Sequence, residues 1–222
     1  MLAILLPILA VTIGLIIALI FKPAVNNGVK LLLSFSGAFL LSVLIFEFLP
    51  EVYGDAPENI GVFVMAGLLL QILLEFTSKG AEHGHVHHSD EKTFPWLLFL
   101  SLCVHAIVEG FPLSQHQSLL YGVVIHKIPI AIILTAFFFN SALSKSKSIV
   151  LLTIFALMTP LGSYIHSHIS YLQNYSQYVS AFVVGVLLHV STTILFESSK
   201  NHQFNASKLA VIGLGILIAY FL

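Results

Sequence analysis

The stretch SLCVHAIVEGFPLSQHQSLLYGVVIHKIPI, residues 101–130, decides the fold. It joins two apolar runs, 96–112 and 118–139. Each is near the ~20 residues a helix needs to cross a ~30 Å hydrocarbon layer. The turn between them, 113–117, is too short for anything but an antiparallel pair of neighbours. Inside the two runs sit His105, Glu109, His126 and Lys127. An ionisable side chain at the centre of a spanning helix costs on the order of 2.5–3.5 kcal/mol, so each of the four marks a function by default.

Working outward, six more apolar runs can be marked, at 2–21, 30–50, 60–78, 148–166, 177–197 and 206–222. The chain is 58% hydrophobic and 9% charged, where soluble domains carry about 25% charged residues. We therefore expect an all-α integral membrane protein of eight transmembrane helices, with residues 1–222 forming one transmembrane domain. The first run has no basic residue ahead of it and no small-residue cleavage site, so it reads as a spanning helix and not as a secretory signal. Cys103 is the single cysteine, which rules out a disulfide within one chain. A formal net charge of −1 provides no basic surface for nucleic acid.

The nine basic residues are all lysine, and cytoplasmic loops collect such residues. Lys22 and Lys30, Lys79 and Lys92, Lys145 and Lys147, and Lys200 and Lys208 fall on alternate loops, which makes that side the cytoplasm. The opposite loops carry Glu51, Asp55 and Glu58 and no lysine. Both termini are then extracytoplasmic. The loop 79–95, between the third and fourth helices, lies inside and contains His83, His85, His87 and His88 beside Glu82 and Asp90. Closely spaced imidazoles and carboxylates suit weak capture of zinc-like ions, although a solvated linker would tolerate the same residues.

His105 and Glu109 are four residues apart, which places them on one helical face. Imidazole nitrogen and carboxylate oxygen at that spacing can hold one divalent cation. Counting at 1.5 Å per residue puts His105 roughly 10 Å below the outer end of its run and His126 roughly 12 Å below the start of the next. At one depth on neighbouring helices, His105, Glu109 and His126 can converge on a metal. Lys127 beside them would repel a cation unless its ammonium is balanced. We expect it to pair with Glu109, or to stand where a second metal would otherwise sit, leaving one metal per site. Pro129 frees the carbonyl of residue 125, which is tolerable where a polar path runs beside the helix.

At these residues the chain resembles the ZIP family of zinc and iron permeases, in their bacterial form. The fourth-helix element His-x-x-x-Glu-Gly is matched by His105, Glu109 and Gly110, and the fifth-helix His-Lys or His-Asn, often followed by Pro-Glu-Gly, by His126, Lys127 and Pro129. The FLLS…FLPE texture at Phe39 to Glu51, the Pro-Leu-Gly at Pro160 to Gly162 and the histidine loop extend the likeness over nearly the whole chain. The resemblance implies a ZIP-type helix bundle in the cell membrane. It implies transport of a divalent cation toward the cytoplasm, with zinc first and iron, manganese or cadmium as other candidates, by a homodimer. In the implied elevator-like cycle, helices one, four, five and six move against the rest. Three positions depart from the family pattern: Ala106, Ile130 and Thr159 stand where two-metal members carry Asn, Glu and Glu. These departures agree with a single-metal site.

Along the implied path, Glu47 lies about one turn inside the second helix, where family counterparts often carry a polar ligand. Glu51, His116, His166 and His168 lie near the outer ends, and Glu75, His189, Glu197 and His202 lie toward the cytoplasm. The competing function is an intramembrane zinc hydrolase, which would also bury histidines and a carboxylate around a metal. It would need three ligands, an activated water and a general base. No second carboxylate is evident at the depth of His105, so transport without enzymatic chemistry is the expected activity.

Overall fold

The computed structural model describes residues 1–21, 27–54, 56–78, 96–197 and 206–222. Its elements are α1 (Leu2–Phe21), α2 (Asn27–Val43), α3 (Leu49–Gly54), α4 (Ile60–Ser78), α5 (Trp96–Gly110), α6 (Gln117–Asn140), α7 (Lys145–His168), α8 (Ser170–Asn174), α9 (Ser176–Glu197) and α10 (Ala206–Tyr220). No strand occurs among the described residues. Seven helices are long and apolar enough to cross a membrane, and α10 is a shorter apolar helix. The expectation of eight full-length spans is thus met for seven. The fifteen residues of α10 rise only about 22 Å at 1.5 Å each, short of a full crossing.

The second span is longer than the run 30–50 suggested, extending from Gly28 to Gly54. Pro50 does not end it. A π-turn at Leu44–Phe48 lets the Leu49 amide donate to the carbonyl of Leu44, five residues back. The helix restarts at Leu49, with Pro50 in its first turn, where no N–H is required. The outer surfaces of α1, α4 and α10 expose large apolar side chains, among them Ile20, Val62, Met65, Phe76 and Leu217. Lipid can cover such surfaces.

Glycines show how the helices pack, because a Cβ at several of them would strike the backbone of a neighbour. A Cβ on Gly162 would lie 1.9 Å from the Ile107 carbonyl oxygen, and one on Gly110 2.2 Å from that of Thr159, so α5 and α7 lie backbone to backbone. Gly14 does the same for α1 on α6, Gly67 and Gly185 for α4 on α9, and Gly215 for α10 on α2. Without lipid–water exclusion to drive helices together, close approach of small residues is a main source of packing energy in membranes. Phe63 with Tyr178, Gly67 with Phe182 and Glu75 with His189 pair at a nearly constant offset, so α4 and α9 run parallel.

Two groups of helices emerge. Val11 of α1, residues 98–106 of α5, Ala131 to Phe138 of α6 and Leu151 to Ala156 of α7 share one apolar cluster. The helices α2, α4, α9 and α10 form the other group through the Gly67, Gly185 and Gly215 contacts and that of Gly37 with Ile194. Among the described residues, the glycine approach between the groups is that of Gly122, where a Cβ would meet the side chains of Leu40 and Val43. Two mixed apolar clusters fill this seam. One contains Leu40, Leu44, Leu120 and Leu187, and the other Leu33, Ile132, Val190 and Ile194.

Candidate metal centre

The polar residues of the first helix group meet the second group in a small cleft at the seam. His105, Glu109, His126, Lys127, Leu102, Ile130 and Phe155 line it from α5, α6 and α7, and Val190 and Ile194 face them from α9. The four ionisable residues are all buried. One turn of α5 separates His105 from Glu109, and the imidazole Nε2 lies 3.5 Å from carboxylate Oε2. That is too long for a good N–H···O bond. It is close to the ~3.3 Å expected between two tetrahedral ligands with metal–ligand lengths of about 2.0–2.1 Å.

The other carboxylate oxygen is engaged. Lys127 Nζ sits 2.5 Å from Glu109 Oε1, and the Thr159 hydroxyl donates to the same oxygen at 2.8 Å. The Lys127 ammonium also lies 4.7 Å from the centre of the Phe155 ring, a cation–π contact. The close approach of α5 and α7 at Gly110 and Gly162 is what brings Thr159 within reach of Glu109. The carboxylate is thereby divided: Oε1 is held by a cation and a hydroxyl, while Oε2 faces His105.

His105 is held from behind. Its Nδ1 lies 3.0 Å from the Gln71 side-chain oxygen on α4, and Gln71 is fully buried. An amide oxygen can only accept, so Nδ1 carries the proton and the lone pair sits on Nε2, toward Glu109. On the preceding turn of α5, the Ser101 hydroxyl donates to the Leu74 carbonyl of α4 at 3.0 Å.

His105, Glu109, His126 and Lys127 are thus brought into one cleft, but not into a closed cage. Among the described residues, no three His, Cys, Asp or Glu side chains are spaced to hold one ion together. The expected convergence of His105, Glu109 and His126 on a single point is not reached in this arrangement, where Lys127 occupies one face of the carboxylate. The three departures from the family pattern take different places. Ala106 packs in the apolar cluster of the first group, Ile130 lines the cleft, and Thr159 anchors Glu109.

The remaining candidates fall outside the cleft. Glu47 is half-buried in the π-turn and does not line it. His166 is buried near the C-terminal end of α7. His168 is exposed, stacks on Tyr164 at 3.9 Å between ring centres, and donates from Nδ1 to the Tyr164 carbonyl at 2.9 Å. It is occupied by its own helix. His116 stands at the N-cap position of α6, and its side chain pairs with Glu51 at 3.0 Å. His189 pairs with Glu75 at 2.5 Å between α9 and α4, and the neighbouring Thr192 and Thr193 hydroxyls donate to carbonyls of their own helix. His83, His85, His87, His88 and His202 lie outside the described residues.

Two residues of this centre were not legible as functional from sequence. Gln71 is an uncharged amide in an otherwise apolar run, and that isolation was the available signal. Thr159 read only as a missing carboxylate, whereas its hydroxyl is the third partner of Glu109–Lys127.

A family model described as ZIP Zinc transporter matches residues 77–222, more than half of the chain. None of the curated proteins compared with the chain matches it.

Proposed function

Because the chain belongs to the ZIP family, whose members transport divalent metals, we propose that it moves zinc, as first choice among such ions, across the cell membrane toward the cytoplasm. The observation that carries this reading is the buried His105–Glu109 pair, 3.5 Å apart and backed by Lys127, at a seam between two helix groups. Two ligands of mixed nitrogen and oxygen character hold a first-row cation without trapping it, which is what passage requires. Iron, manganese and cadmium suit the same donors. The hydrolase reading is disfavoured for the same reason, since catalytic zinc is ordinarily fixed by three protein ligands.

The lysine at the carboxylate argues for one ion per chain. Lys127 already supplies a positive charge beside Oε1, and a second cation there would meet it unscreened in a low-dielectric setting. We take the packing asymmetry as the basis of movement. Helices α1, α5, α6 and α7 travel as one body carrying the cleft, against α2, α4, α9 and α10, across a seam made of side chains. An eight-span topology with both ends outside, and a homodimer assembled through the second group, complete the reading. The His83–His88 segment then serves as a cytoplasmic acceptor of released metal.

The test is zinc uptake into sealed proteoliposomes. Wild-type protein should show saturable uptake and bind one zinc per chain, and Glu109→Gln should abolish saturable uptake. Uptake by Glu109→Gln at the wild-type rate, or two tightly bound ions per wild-type chain, would sink the site as assigned.

A further inference from the structure

Resting on the transport-site reading above, we infer that Gln71 is a positioning residue that sets the metal-binding state of His105. The side-chain oxygen of Gln71 faces His105 Nδ1 at 3.0 Å, and both groups are buried. An imidazole coordinates through a lone pair, and the other ring nitrogen decides which nitrogen that is. Gln71 accepts the Nδ1 proton, so the lone pair is left on Nε2, the atom 3.5 Å from Glu109 Oε2. Without that acceptor the neutral ring is free to place its proton on Nε2 and donate to Glu109, which would close the gap that a cation needs.

The position of Gln71 adds a second consequence. His105 belongs to the α1, α5, α6, α7 group, whereas Gln71 stands on α4, welded to α9 through Gly67 and Gly185. The hydrogen bond therefore crosses the seam. The ligand that faces Glu109 is oriented by a residue of the opposite body, so His105 is fixed in its coordinating form only in the register seen here. Sliding the cleft along the seam by one helical turn, about 5.4 Å, stretches a 3.0 Å bond to about 6 Å, well beyond useful geometry. Affinity then falls as the site moves, with no change in the ligands themselves. Glu109 has no such dependence, because both Lys127 and Thr159 ride on its own group.

The experiment uses the full chain in lipid nanodiscs and in proteoliposomes, with zinc alone as the probe. Gln71→Leu keeps the volume and removes the acceptor, while Gln71→Glu restores one. Outer-shell partners of metal-bound histidine are worth about 10–100-fold in affinity. Zinc affinity of Gln71→Leu should fall by that factor, and KM for uptake should rise with kcat unchanged or higher. The 15N spectrum of His105 should lose its single Nδ1–H tautomer, and Gln71→Glu should recover both affinity and tautomer. A Gln71→Leu protein with wild-type affinity and a wild-type His105 spectrum overturns the inference. So does a Gln71→Glu protein that fails to recover them. Glu109→Gln separates the two levels: if it binds zinc like the wild type, the site itself is misassigned. If it loses zinc while Gln71→Leu does not, only the positioning role falls.

Discussion

Among the described residues, two histidine–glutamate pairs have both members inside spanning helices, and their separations differ by one ångström. His105 and Glu109 are on one helix, 3.5 Å apart, fully buried, with a lysine and a threonine on the far carboxylate oxygen. His189 and Glu75 are on two helices of the other group, 2.5 Å apart and about one-fifth exposed. The short pair is in direct hydrogen-bonding contact and leaves no room for a metal between its members. The long pair is too far for a good hydrogen bond and near the separation of two ligands on one ion. The same two residue types thus form a tie between α4 and α9 in one place and, in the proposed reading, an open coordination gap in the other. What separates them is not the residues but their neighbours: Gln71 fixes the proton of His105, whereas His189 gives its ring nitrogen directly to a carboxylate.

The largest expected effect is on stability at the long pair. Lys127→Met leaves Glu109 as an uncompensated buried charge and should destabilise the protein by about 3–5 kcal/mol. The double variant Glu109→Gln with Lys127→Met should recover most of that while remaining unable to transport. Thermal unfolding of the four proteins of this cycle in detergent gives the coupling. A purely additive cycle would mean that the pair is not coupled and would remove the charge-balance argument.

Next in size is metal affinity. His105→Ala should weaken zinc binding by about 100-fold, which is roughly 2.7 kcal/mol, while His189→Ala should change it by less than about three-fold. Titration of both variants against a competing chelator makes the comparison direct. If the two lose affinity equally, the distinction between an open gap and a proton tie fails.

The smallest effect is at the short pair itself. A hydrogen bond to a charged group contributes about 1.5–3 kcal/mol, and partial exposure puts this one at the low end. Glu75→Gln, which keeps the shape and weakens the bond, should lower stability by about 1 kcal/mol with zinc uptake nearly intact. Loss of uptake as complete as in Glu109→Gln would instead place Glu75 on the ion's path.

Much of this molecule was legible before any coordinates. Apolar run length predicted the spans, and seven are as long as required. The exception, α10, ends at Tyr220 and leaves the last two residues outside the helix. The run marked at 30–50 stops short of the span Gly28–Gly54, because a π-turn at Leu44–Phe48 carries the helix past Pro50, and only a hydrogen-bond pattern can reveal such a turn. Within the centre, the His105–Glu109 spacing and the company of His126 and Lys127 could be read directly. The role of Thr159 could not, since its partner is fifty positions away.

Sequence alone therefore determined what depends on local chemistry. Hydrophobic length gives a spanning helix, four-residue spacing gives two donors on one face, and a lysine beside a buried carboxylate demands charge balance. Tertiary structure decided what depends on distant partners. It determined that Glu109 gives Oε1 to Lys127 and keeps Oε2 for His105, that Gln71 reaches across from α4, and that glycines join α5 to α7, α1 to α6, α4 to α9 and α10 to α2, with apolar packing between these pairs. Helical periodicity reports only which residues share a face. Which helix meets that face, and so whether His189 meets Glu75 across 114 positions of the chain, is set by the packing of backbones distant in sequence.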